Sequence, residues 1–124
     1  MSVVIVIAAL VAGAAGALLR YGVSRAFRQS PARLPWAVLI VNVLGSIVAG
    51  IAVGLSFSDP HGALRLIVVS GFAGGLSTFS TFSVETMQLA IEGRWRMAIG
   101  SVAANVVGGA TAFAFALAVT ALLA

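Results

Sequence analysis

A chain of 124 residues that is 61% apolar and 8% charged, with a mean hydropathy of +1.16, is not built to face water. A soluble domain this small needs roughly a quarter of its surface charged, so the solvent here is lipid. The absence of cysteine and the presence of one His, one Asp and two Glu remove disulfides, thiolates and most hydrolytic or metal-dependent enzymes, so the chain reads as a non-enzyme.

Charges mark the connectors between four uncharged stretches, Met1–Leu19, Leu34–Ser58, Leu66–Val84 and Met97–Ala124. Each meets the roughly 17–25 apolar residues a spanning helix requires. They predict a single all-α membrane domain over 1–124, with spans near 2–27, 34–58, 65–91 and 97–123. The first stretch lacks a basic leading segment and reads as a span, not as a cleaved signal. Pro35 stands at the start of the second span, where its missing N–H costs nothing. Pairs of small residues at helical spacing (Ala12/Gly16, Gly13/Ala17, Gly45/Ala49, Gly50/Gly54, Gly108/Ala112) provide faces for close backbone approach, within one bundle or between two chains.

Six of the seven basic residues, all Arg, fall on the side of the first and third connectors, and one falls on the other. By the positive-inside rule that side is cytoplasmic, and Tyr21, Trp36 and Trp95 sit there as interfacial anchors. The resulting pI of 11.6 therefore reflects loop placement and not nucleic-acid binding. Because the span number is even, the chain holds no inverted repeat, and inverted symmetry requires a second chain.

The third span contains Gly71-Phe72-Ala73-Gly74-Gly75-Leu76-Ser77-Thr78-Phe79-Ser80-Thr81-Phe82-Ser83. Glycines followed by a run of hydroxyl residues make a poor continuous helix, which predicts an unwound break. Counting from Arg65 to Ile91 centres that break near Ser77–Thr78, close to the membrane midplane. The helical half before it ends in carbonyls and the negative end of its dipole, which suit a small cation. Freed backbone groups at that depth are tolerated only against protein, a cavity or an ion. If two chains pack antiparallel, the two breaks meet and such a cation lies on their axis.

Phe79 and Phe82, three residues apart, project to a similar side; such a pair is either core packing or, through its positive ring edges, a lining for a narrow anion path. Asn42, about eight residues inside the second span, either bonds a neighbouring helix or offers its N–H donors to a passing anion. On the fourth span Ser101, Asn105 and Gly109 share a face. Arg20 and Glu85 fall toward the same membrane side, where Glu85 reads either as half of an ion pair with Arg20 or as a vestibule charge; without a base, nucleophile or metal beside it a catalytic role is not expected.

Gly13-Ala14-Ala15-Gly16-Ala17-Leu18-Leu19-Arg20-Tyr21, Asn42-Val43-Leu44-Gly45-Ser46 and the third-span run through Val84-Glu85 together resemble the signatures of the Fluc/CrcB fluoride channels. The resemblance covers essentially the whole chain. It implies a fluoride-selective channel of the bacterial inner membrane that passively exports fluoride and confers fluoride resistance. It also implies an antiparallel, dual-topology homodimer with two pathways and a central structural sodium ion. By motif position the backbone carbonyls of Gly74 and Ser77 would hold the sodium; Asn42, Phe79, Phe82, Ser80 and Thr81 would line the fluoride path; and Arg20 would make an electropositive vestibule. Ser77 stands where the family usually has Thr, a change that leaves a carbonyl ligand intact, and where hydroxyl residues often line the family's pore on the fourth span this chain offers only Ser101, Asn105 and Thr111, without a motif match. The Arg bias sits poorly with insertion in both directions, so either other features decide insertion or the partner is an oppositely oriented homologue. Two other classes fit four small spans. A small multidrug-type exporter wants an embedded carboxylate that the first two spans lack, and a non-transporting assembly subunit leaves the midplane break unexplained.

Overall fold

The computed structural model describes residues 3–26, 36–55, 62–77 and 80–123. Their regular structure is helical: α1 (Val3–Ala26), α2 (Trp36–Leu55), α3 (Arg65–Leu76), α4 (Ser80–Ile91) and α5 (Trp95–Leu123). Helices α1, α2 and α5 are each long and apolar enough to cross a membrane. The third expected span is divided. At 12 residues α4 is about 18 Å long at 1.5 Å per residue, well short of a hydrocarbon core of about 30 Å, and α3 is also a short apolar helix.

The division falls where the Gly and hydroxyl run predicted it. Ser77 takes an extended conformation (φ −75°, ψ 158°) although its N–H still reaches the Ala73 carbonyl at 2.9 Å, so the helix closes its last turn and then unwinds. One feature went unforeseen: Arg65–Ala73 is wound as a π-helix, and the Gly74 N–H bonds back to Val69, five residues away. Such winding is rare and clusters at functional positions in other proteins. Between α4 and α5, Gly93 adopts φ 78°, and the Gly93 and Arg94 N–H groups cap Ala90 and Leu89 in a Schellman turn.

Two pairs of parallel helices build the bundle. In the first, α1 and α3 meet backbone to backbone: a Cβ on Gly71 would lie 2.6 Å from the Ala9 carbonyl oxygen, and one on Gly75 would collide with the Gly13 carbonyl. Gly16 in turn faces the Phe72 carbonyl with no room for a side chain. In the second, α2 and α5 run together, and Cβ atoms on Gly50 and Gly54 would sit 2.6 Å from the Phe113 carbonyl oxygen and 2.8 Å from Thr120 Cβ. The small-residue faces of α1 and α2 are thereby used inside one chain. Helix α2 also packs on α3, with Gly45 against Ala73 and Ser77, and α4 packs on α5.

The core is narrow, built from Val38, Val41, Ala52, Ala73, Leu76, Leu89, Ala98 and Ala116. Outside it, Val3, Val4, Leu10, Leu18, Val107, Phe115 and Leu122 are exposed, as lipid or a second chain would require.

Candidate functional site

The polar residues of α2 and α5 converge along the seam between them. Asn42 Nδ2 donates to Asn105 Oδ1 at 2.8 Å, and Asn105 Nδ2 donates to the Ser101 carbonyl at 2.8 Å. Of the two readings open for Asn42, the interhelical bond is the one formed. One turn further along both helices, Ser46 Oγ lies 3.2 Å from where a Gly109 Cβ would be, so the missing side chain leaves room for the hydroxyl. The face predicted for Ser101, Asn105 and Gly109 thus meets a matching face of Asn42 and Ser46.

Beyond this second rung the seam opens into a cavity of about 370 Å³ between α2, α3 and α5. Its walls include Ser46, Ala73, Gly74, Ser77, Gly109 and Phe113. The break in α3 therefore faces the same space as the polar seam of α2 and α5. Gly74 and Ser77, expected to act through backbone carbonyls, are both on this wall. Helix α3 terminates here, and carbonyls in a final helical turn have no partner within their own helix. Carbonyl and hydroxyl oxygens without a carboxylate suit a monovalent cation better than a transition metal, which wants His, Cys or carboxylate ligands. No cluster of three or more His, Cys, Asp or Glu occurs among the described residues.

The remaining expected residues are placed differently. Phe82 is half-buried in the first turn of α4 and does not line this cavity. Arg20 is half-buried near the end of α1 and is likewise absent from its wall. Ser80 and Thr81 open α4, but their side chains lie outside the described residues, as do Thr78 and Phe79 altogether. The pairing expected of Arg20 and Glu85 is not made among the described residues: Glu85 Oε2 is buried without a hydrogen-bond partner, and so are Thr86 Oγ1 and Ser101 Oγ. Buried polar atoms left unmet cost about 1–3 kcal/mol each, which favours water or an ion reaching these helices. Thr111 faces a separate apolar groove of about 620 Å³, lined also by Ile47, Ile51, Phe115 and Thr120.

Asn105 and Ser46 stand out in the sequence only as part of a shared face and of a motif, without a role, and Phe113 is a site residue that the sequence reading left out altogether. The signal for the first was available: Asn42 stands eight residues after Leu34 and Asn105 eight after Met97, so the two amides share a depth on helices running the same way. For Phe113 no such signal exists, since one aromatic on an apolar helix is ordinary packing.

Comparison with known proteins gives a consistent result. The family model described as CrcB-like protein, Camphor Resistance (CrcB), matches residues 7–117. A protein of Saccharophagus degradans named fluoride-specific ion channel FluC is 39% identical over 121 residues, covering 96% of this chain and 91% of that one. A Yersinia pseudotuberculosis protein named fluoride-specific ion channel FluC 1 is 38% identical over 104 residues, 82% of each chain. One of Leptospira interrogans, with the name fluoride-specific ion channel FluC, is 38% identical over 109 residues, 84% of each.

Proposed function

Since this chain belongs to the CrcB family, we propose that it is a fluoride-selective channel of the bacterial inner membrane that lets fluoride leave the cytoplasm down its gradient. The observation that carries this reading is the polar seam. Ser101, Asn105, Asn42, Ser46 and Ser77 form an uncharged polar line from one end of α5 to the break in α3, inside a chain whose outer surface is apolar. Amide N–H donors and hydroxyls replace part of a small anion's hydration without the deep well that a buried Arg would create, so the ion both enters and leaves. Asn42 is the amide donor of this path. Phe82, with Phe79, adds positive ring edges, and Ser80 and Thr81 add hydroxyls near the break. Arg20 draws anions toward the entrance without lining the seam.

In this reading α3 and α4 together form one crossing, the third of four, and two chains associate antiparallel so that their breaks meet. The backbone carbonyls of Gly74 and Ser77 from each chain would hold a sodium ion between them, which offsets the dipole ends of two broken helices and locks the dimer. The partner is an identical inverted chain or, given the Arg bias, an oppositely oriented homologue.

The deciding experiment loads the purified protein into liposomes with fluoride or chloride and follows efflux with ion-selective electrodes. Rapid fluoride efflux with chloride retained is expected, and equal rates for the two halides, or none from folded protein, sink the reading. Single cysteines in the first connector, labelled from each side of the membrane, decide the partner: labelling from both sides fits the inverted homodimer, whereas labelling from one side requires the homologue.

A further inference from the structure

An amide that must present N–H to an anion faces a difficulty of its own. The terminal torsion of Asn is soft, so its donor and acceptor ends exchange places easily, and an anion is repelled by the acceptor end. Something has to decide which way Asn42 points. One constraint on that choice traces to the backbone of α5. The Ser101 carbonyl can only accept, so the group 2.8 Å from it on Asn105 is the NH2, and Oδ1 of Asn105 is turned the other way. That oxygen can likewise only accept, so the group 2.8 Å from it on Asn42 is also an NH2. The order runs one way, from a helix carbonyl through Asn105 to Asn42, and neither amide can flip without placing two acceptors or two donors in contact.

The anchor is firm. Ser101 is fully buried, and its carbonyl belongs to the helix itself, four residues before Asn105. Both side chains are partly buried.

We infer that Asn105 is a positioning residue for conduction, acting through Asn42: it holds the Asn42 amide with its nitrogen end turned into the α2–α5 seam. The inference rests on the proposed role of Asn42 in the fluoride path. It makes a specific demand on residue 105, which has to donate to the carbonyl four residues back and accept from Asn42 at once. Threonine does both with a single hydroxyl, since its O–H can bond the i−4 carbonyl while its lone pair receives an N–H. Valine has the same shape and can do neither.

The test is fluoride efflux from proteoliposomes for the parent, Asn105→Thr and Asn105→Val, each also in an Asn42→Ala background, with assembly followed by size-exclusion chromatography. Threonine is expected to keep flux within about threefold of the parent and valine to lose about tenfold or more, the effect of losing one or two net hydrogen bonds. In the Asn42→Ala background the two variants become equal within about twofold, because a group that acts only through Asn42 has nothing left to act on. Should Asn105→Val fail to assemble, Asn105→Ala takes its place with the same expectations. Equal flux from the threonine and valine forms overturns the inference. So does a tenfold difference that persists without Asn42, which would make residue 105 a direct contact of the ion. A parent that assembles but passes no fluoride overturns the channel reading itself and takes this inference with it.

Discussion

The two parallel helix pairs solve the same packing problem with different materials. Along α1–α3 the contact is backbone on backbone: Gly13, Gly16, Gly71 and Gly75 bring carbonyls and Cα atoms together, with no polar side chain between them. Along α2–α5 the half built on Gly50 and Gly54 is of that kind, and the other half is joined through the Asn42–Asn105 and Ser46–Gly109 rungs. In lipid, close backbone approach is what holds helices together, because burial between them gains little over contact with acyl chains. A seam that carries amides and hydroxyls over two turns gives that stretch to polar contacts instead of small-residue packing. The first pair is therefore the frame, and the polar half of the second is where function has displaced packing.

That contrast is most severely tested at Gly75. A side chain there meets the Gly13 carbonyl, carbon and Cα, all backbone, so nothing flexible can give way. Gly75→Val should cost more than about 3 kcal/mol, beyond the usual range for overpacking, and abolish recovery of assembled protein. Recovery of a monodisperse assembly with parental melting temperature would mean that α1 and α3 are not the frame.

Ser46→Ala probes the opposite seam. The hydroxyl faces a glycine and a cavity rather than a helix backbone, so its removal leaves the packing intact. The expected result is an unchanged assembly with fluoride efflux reduced by about fivefold, the order of one net hydrogen bond lost from the path. A variant that loses stability in parallel with flux would place Ser46 in the frame.

How much of this could be read from residues alone follows from what spacing encodes. The break at Ser77 was legible because Gly and hydroxyl residues act on their own backbone, and local chemistry is enough to predict it. The two residues expected to hold a cation, Gly74 and Ser77, sit beside that break for the same reason. Spacing also identifies a face, as for Gly50 and Gly54, but not the helix it meets; whether such a face served one chain or two was open until the helices were placed. The Asn42–Asn105 bond needed that same placement, since equal depth admits a pairing without requiring it. The π-helical winding of Arg65–Ala73 had no signal, because Arg-Leu-Ile-Val-Val-Ser-Gly-Phe-Ala reads as an ordinary apolar helix.

The gentlest test stays within α1, where two glycines lie less than two turns apart. Gly16 is buried against α3, whereas Gly22 is exposed and an added Cβ would meet no atom within 4 Å. If the frame is confined to the face that carries Gly13 and Gly16, Gly22→Ala should raise stability by up to about 1 kcal/mol, because alanine is the better helix former and nothing of its own chain stands in the way. Fluoride efflux should match the parent. The measurement has a second use. Open space beside Gly22 is open only with respect to its own chain, so a marked loss of assembly in Gly22→Ala would mean that another chain covers this part of α1, and the frame would then extend from α3 across α1 into the partner.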